Sequence, residues 1–146
     1  MSKTFAAASI QFSYPDDWII TEDRGPEELT ITVTDGQTAQ WSITLMRECP
    51  PPKHVLKEAV QAFREEYDSL DVDESNLNIA NHEALAADLD FECFELLNCA
   101  FLRAFETDRY TVLVMYQATD HEMSAMEPVF AEINKSLRCD IDMFES

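Results

Sequence analysis

The sequence predicts an α+β domain, in which a central antiparallel sheet of about six to seven strands carries two main helices on its faces. Three features carry that prediction. Tyr110 to Ala118, Y-T-V-L-V-M-Y-Q-A, is apolar on both alternating faces: Tyr110, Val112, Val114 and Tyr116 on one, Thr111, Leu113 and Met115 up to Gln117 on the other. A strand without a polar face belongs mid-sheet and covered on both sides, since water would otherwise meet a row of Val and Met. Periodicity alone also allows a buried helix. The β-branched and aromatic content, and the turn-like Thr107-Asp108-Arg109 before it, select a strand. The second feature is a pair of alternating runs around Asp35-Gly36, and the third is a pair of apolar stripes at helical spacing.

Residues 4–12 predict a first strand, ended by Ser13-Tyr14-Pro15-Asp16-Asp17-Trp18, where Pro fixes φ and the Asp side chains bond their own backbone. Trp18-Ile19-Ile20 opens a short second strand. Thr21 to Glu28 is charged, contains Gly25-Pro26 and reads as a loop. Leu29, Ile31 and Val33 alternate with Thr30, Thr32 and Thr34; Ala39, Trp41, Ile43 and Leu45 alternate with Gln40, Ser42 and Thr44. Asp35-Gly36 between them predicts a tight hairpin turn, because Gly takes positive φ without penalty.

Pro50-Pro51-Pro52 stops the sheet and starts a helix, where a missing first-turn N–H is no loss. Val55, Leu56, Ala59, Val60, Phe63 and Tyr67 form its apolar side, opposite Lys57, Glu58, Gln61, Arg64 and Glu65. Lys53 and Lys57 at its start and Glu65, Glu66 and Asp68 at its end oppose the helix dipole by ~0.3–1 kcal/mol each. Packing must hold this helix.

Asp71 to Asn78 predicts an edge strand and Asn81-His82 a turn. Leu85, Ala87, Leu89, Phe91 and Cys93 alternate with Ala86, Asp88, Asp90 and Glu92. After Glu95 the chain returns through Leu96 to Phe105 and then to the central strand, an antiparallel meander. Thr119-x-x-Glu122 resembles a capping box. Met123, Met126, Phe130, Ile133 and Leu137 make the second helical stripe. Pro128 inside it predicts a kink or a later helix start. Residues 1–138 read as one domain and 139–146 as a loose tail.

The formal charge is −19, from 29 acidic and 10 basic side chains spread along the whole chain. Such a field repels phosphate backbones and anionic headgroups, which argues against nucleic acid and membrane surfaces as partners. No run of about 18 apolar residues is present, and the opening M-S-K-T-F-A-A-A-S-I is too weak for a secretory signal. Cys49, Cys93, Cys99 and Cys139 lack C-x-x-C spacing and read as reduced, mostly buried thiols. These observations predict a cytoplasmic location.

Phe12-Ser-Tyr-Pro-Asp-Asp-Trp18 resembles the F-x-x-P-x-x-W opening of the PsbP-like superfamily, with Phe12, Pro15 and Trp18 where that pattern wants them. The hydrophobic strand from Tyr110 to Ala118, followed by a helix closing on Phe130, Ile133, Ser136, Leu137 and Arg138, is similar to the family's C-terminal end. The superfamily includes the photosystem II extrinsic protein, a yeast Ran-binding import factor and small bacterial proteins of the DcrB type. The family's Asn/Asp-Gly turn is replaced here by Asn81-His82. The resemblance implies an α/β/α sandwich and a protein that binds other proteins rather than catalysing. One cytosolic branch, dimeric chaperones that shield hydrophobic segments of type VI secretion effectors, makes a chaperone-like role and a homodimer expectations here. In that family Phe12, Pro15 and Trp18 are residues that build the fold.

Tests for chemistry return little. No nucleophile motif accompanies His54, His82 or His121, and each reads as a surface residue. With only Gly25 and Gly36 in the chain, glycine-rich phosphate loops are impossible, and no cofactor is expected. Cys93 and Cys99 could face each other across a hairpin, but no second close pair completes a zinc site. Asp88, Asp90 and Glu92 lie on one side of one strand, about 6–7 Å apart, a negative ribbon that could hold weak divalent cations or a basic partner. Trp41, Met46, Met115, Met123 and Met126 read first as core, with an adaptable binding surface as the alternative. The residues themselves name no activity; the resemblance, with no catalytic motif beside it, implies a non-enzymatic binding module, an adaptor or chaperone with an unidentified protein partner. An acidic, weakly cation-binding protein is the alternative, and an enzyme with an unfamiliar site a third.

Overall fold

A computed structural model describes residues 2–139. Along the chain the elements are β1 (Ser2–Ala7), β2 (Ile10–Pro15), β3 (Ile19–Arg24), β4 (Glu28–Thr34), β5 (Gln40–Met46), α1 (Pro52–Glu66), β6 (Leu70–Ile79), β7 (His82–Cys93), β8 (Leu96–Glu106), β9 (Thr111–Thr119) and α2 (Asp120–Ser136). β1 and β2 form a two-stranded hairpin. The other strands form a seven-stranded sheet in the order β3-β4-β5-β9-β8-β7-β6, antiparallel throughout.

β9 lies mid-sheet, paired with β5 on one edge and β8 on the other. Its alternate residues serve two separate cores. Val112 and Val114 are fully buried with Phe130 and Ile133 of α2 and with Leu137 just after it. Leu113 and Met115 pack on the opposite core with Leu56, Val60 and Phe63 of α1. A strand apolar on both faces therefore has a helix on each side, and the layers form an α/β/α sandwich.

The sequence-predicted first strand at 4–12 is in fact two strands joined at Ala8-Ser9, whose φ angles are 54° and 69°. Nothing local announces that turn, since neither residue is a usual occupant of positive φ. Tertiary packing selects it: the reversal lets Ile10, Phe12 and Tyr14 lie buried on the α2-side core. The same two-residue turn joins β6 to β7 at Ala80-Asn81 and β7 to β8 at Phe94-Glu95, all with positive φ. The turn expected at Asn81-His82 therefore sits one residue earlier, and His82 begins β7.

Two further expectations need correction. Thr21 to Arg24 belongs to β3 rather than to a loop, because an edge strand tolerates charge; only Gly25 to Glu27 remains outside the strands, closed by the Gly25 N–H donating to the Glu28 carbonyl at 2.8 Å. Asp35-Gly36 is not a two-residue turn. Thr34 faces Gln40, leaving a five-residue loop in which Gly36 has φ 85° and the Gln37 N–H donates to Asp35 Oδ1 at 2.8 Å.

α2 starts at Asp120 and runs through Pro128, so there is no late start. Pro128 deprives the Ser124 carbonyl of its helical partner, and both residues are exposed, where water can replace it. Of the tail expected at 139–146, Cys139 is half-buried against the core, and residues 140–146 lie outside the described residues.

Candidate functional site

Residues directly opposite on neighbouring strands share a face. Asp88 and Asp90 of β7 face Asp73 and Asp71 of β6. The ribbon read from sequence, Asp88, Asp90 and Glu92, therefore continues onto a second strand. Sequence periodicity identified one row; only the register brings in the other. Asp71, Asp73, Asp90 and Glu92 are exposed, and Asp88 is half-buried.

Asp88 has a defined partner. Arg103 Nη1 donates to Asp88 Oδ1 at 2.7 Å and to the Leu102 carbonyl at 3.0 Å. The guanidinium lies 5.7 Å from the ring centroids of both Phe101 and Tyr116, which stack on each other at 5.0 Å. Arg103 is a cation held inside an aromatic cradle, and sequence reading missed it because a lone Arg in an apolar run carries no local signal. At Asp90, the neighbouring Cys99 thiol is pushed up to about 11, first by burial, then by a hydrogen bond to Asp90 and its negative field. This thiol is poorly nucleophilic.

The five carboxylates form a flat ladder, not a loop wrapped around a centre. Among the described residues, no group of three or more His, Cys, Asp or Glu side chains is placed to hold a metal ion. His54 is exposed and lies 3.1 Å from Glu58, and His121 is exposed beside Asp120 at 3.9 Å. His82, read as a surface residue, is instead half-buried and stacks on Phe105 at 5.2 Å. Elsewhere, an acidic concavity of about 390 Å³ gathers Glu27, Glu28, Glu48 and Glu58 beside His54. There, the hydrogen bond and repulsion from Glu48 raise Glu27 above the usual carboxylate range.

The β7–β8 hairpin ends the acidic face in an apolar tip. Phe94 is 93% exposed, and Leu96 and Leu97 beyond it are also exposed, flanked by Glu92 and Glu95. Phe94 holds φ 53°, a left-handed conformation that a bulky side chain adopts only under strain. The sequence showed only that this segment was a turn. By contrast, Trp41 is fully buried, its Nε1 donating to Asn134 Oδ1 at 2.8 Å, and Met115, Met123 and Met126 are packed against the two cores.

Phe12 and Trp18 are buried, with Phe12 4.8 Å from Trp41 and Trp18 set edge-on to Phe130 at 6.3 Å. They build the core. Together with the antiparallel sheet flanked by one helix on each face, this arrangement is an α+β fold similar to that of PsbP. Cyanobacterial PsbP (CyanoP) from Synechocystis sp. PCC 6803 matches it with a TM-score of 0.63 at 9% identity, over 94% of this chain and 92% of that one. LpqN, involved in cell envelope biogenesis of Mycobacterium tuberculosis, gives 0.55 at 12% identity, over 94% of this chain and 90% of that one. PA94 of Pseudomonas aeruginosa, a protein of unknown function and candidate regulator, gives 0.52 at 14% identity, over 89% and 91%. At such identities the likeness concerns the fold alone. No family model and no curated protein matches the chain. Among the described residues, no helix is long and apolar enough to cross a membrane.

Proposed function

We propose that this chain is a non-enzymatic protein-binding module, an adaptor or chaperone-like protein of the cytoplasm, that presents the β7–β8 tip to its partner. One observation carries the reading: Phe94 is almost wholly solvent-exposed and sits in a strained backbone conformation at the end of an otherwise well-formed hairpin. A large apolar side chain there costs stability twice, through exposure and through φ. Such local conflict is the usual mark of a residue kept for contact with something else. The acids on either side, Glu92 and Glu95, keep the tip soluble and favour a partner with basic groups around an apolar pocket. Four free cysteines fit a reducing compartment. The chaperone-like part of the reading rests on the superfamily resemblance and would make the partner's apolar segment the cargo.

The test is affinity capture from native lysate with the wild-type chain and a Phe94→Gly, Leu97→Ser variant side by side. The reading expects partners retained by wild type at moderate salt and lost from the variant. Identical capture by both, or no reproducible capture by either, would overturn it.

A further inference from the structure

β6 is the terminal strand of the sheet, paired with β7 without a break from Leu70 opposite Phe91 to Ile79 opposite His82. Its outer edge is ten residues long. Long edges are normally blunted by proline, lysine, a bulge or a covering element. β6 contains neither proline nor lysine and its register has no bulge, so Asp71, Asp73 and Glu74 are the only charges on it; the opposite edge, β3, is only six residues long.

α1 packs over β7, β8 and β9, and a groove of about 810 Å³ runs from its flank to β6. Lys53, Lys57 and Arg64 line its helical wall, spaced to fall on one flank of α1. Three of the chain's ten cations thus face one groove in a protein of net charge −19, and none of them forms an ion pair among the described residues. Leu56, Val60 and Leu85 supply an apolar floor, and Glu74, Ser75 and Asn76 of β6 line the far wall, so one carboxylate stands across the groove from three cations. On the opposite face of the same strand stand Asp71 and Asp73.

We propose that the outer edge of β6 accepts an extended segment of another protein as an eighth strand. The segment has carboxylates and aliphatic side chains on the face toward Lys53, Lys57 and Arg64, and basic or hydroxyl side chains on the face toward Asp71 and Asp73. The strand period of two sorts the incoming residues between the faces, so main-chain hydrogen bonds supply affinity and the two unlike charge rows supply register. The overall negative field does not defeat this, because at physiological ionic strength it is screened beyond about 8 Å, and the local cations dominate within the groove. A second copy of the chain is the poorer occupant, since it would bring both copies' Asp71, Asp73 and Glu74 to one seam.

The probe is a fluorescein-labelled synthetic nonapeptide, Glu-Lys-Val-Thr-Glu-Lys-Val-Thr-Glu, which places Glu and Val on one face and Lys and Thr on the other. Binding is followed by anisotropy. Wild type should bind it; a Lys53→Glu, Lys57→Glu variant should bind at least about tenfold more weakly, since two attractions become two like-charge repulsions. That variant places acids at a helix N-terminus, which favours folding, and its thermal midpoint serves as the control. The same peptide N-methylated at alternate residues should lose binding, as should an isomer with Glu and Lys on one face. Equal binding of the N-methylated peptide would reduce the effect to loose charge attraction and overturn the proposal, as would an unchanged affinity of the charge-reversal variant or no binding at all. A dimer by light scattering, with β6 amides protected from exchange in the absence of peptide, would assign the edge to a second copy and also overturn it.

Discussion

Arg103 and Asp88 form an ion pair of unequal burial: Nη1 and Oδ1 lie 2.7 Å apart, the arginine side chain is 8% exposed and the aspartate side chain 42%. The arginine cannot reach water on its own, so Asp88 is its counter-ion. This relationship removes one acid from the exposed ribbon and ties β7 to β8.

Removing Asp88 should therefore be costly in a way its surface position conceals. Asp88→Ala leaves a buried guanidinium without its carboxylate; for a half-exposed pair we expect about 1–3 kcal/mol of destabilisation, less than for a fully buried pair. Arg103→Met together with Asp88→Ala should restore most of that loss, because Met fills the aromatic cradle without charge. Urea unfolding of Asp88→Ala, of Arg103→Met and of the double variant checks both statements, and an additive double mutant would refute them.

Phe94→Gly should separate stability from binding. Gly takes positive φ without strain, so the variant should be more stable by about 1 kcal/mol while losing the apolar tip. A rise in thermal midpoint together with loss of captured partners is the expected pair of results.

Glu122 predicts an acid-sensitive helix start. Burial pulls its carboxyl upward, but hydrogen bonds from the Thr38 hydroxyl and from the Thr119 N–H and hydroxyl, the last two at 3.1 and 2.9 Å, outweigh it and hold the group below its usual 4.5. A depressed folded-state value means stability that is fully present above pH 4.5 and is lost as pH falls through the lower folded value. Glu122→Gln should flatten that acid limb of the stability curve while leaving the neutral region offset only by the weakened capping box.

Thiol reactivity should differ along the chain. Cys49 is exposed, whereas Cys99 is partly buried and its thiol is raised to about 11. Iodoacetamide at mildly alkaline pH should modify Cys49 well before Cys99, and peptide mapping over time would show the order. Asp90→Asn should speed Cys99, since it removes the nearby negative charge.

The chain itself determined the elements whose pattern is local. The β4–β5 alternation, the apolar side of α1, the two-faced β9 and the Thr119–Glu122 box are each written within a few consecutive residues, and each forms where it was read. Tertiary structure decided what depends on partners far along the chain. The Ala8-Ser9 reversal exists because burying Ile10, Phe12 and Tyr14 outweighs two strained φ angles, a balance invisible in the tetrapeptide around it. Asp71 and Asp73 join Asp88 and Asp90 only through the β6–β7 register, and Lys53, Lys57 and Arg64 become a wall only because α1 packs over β7 and β8 with that flank toward β6. Periodicity states which face a side chain takes, but the neighbour it meets there is set by how the sheet is ordered and packed.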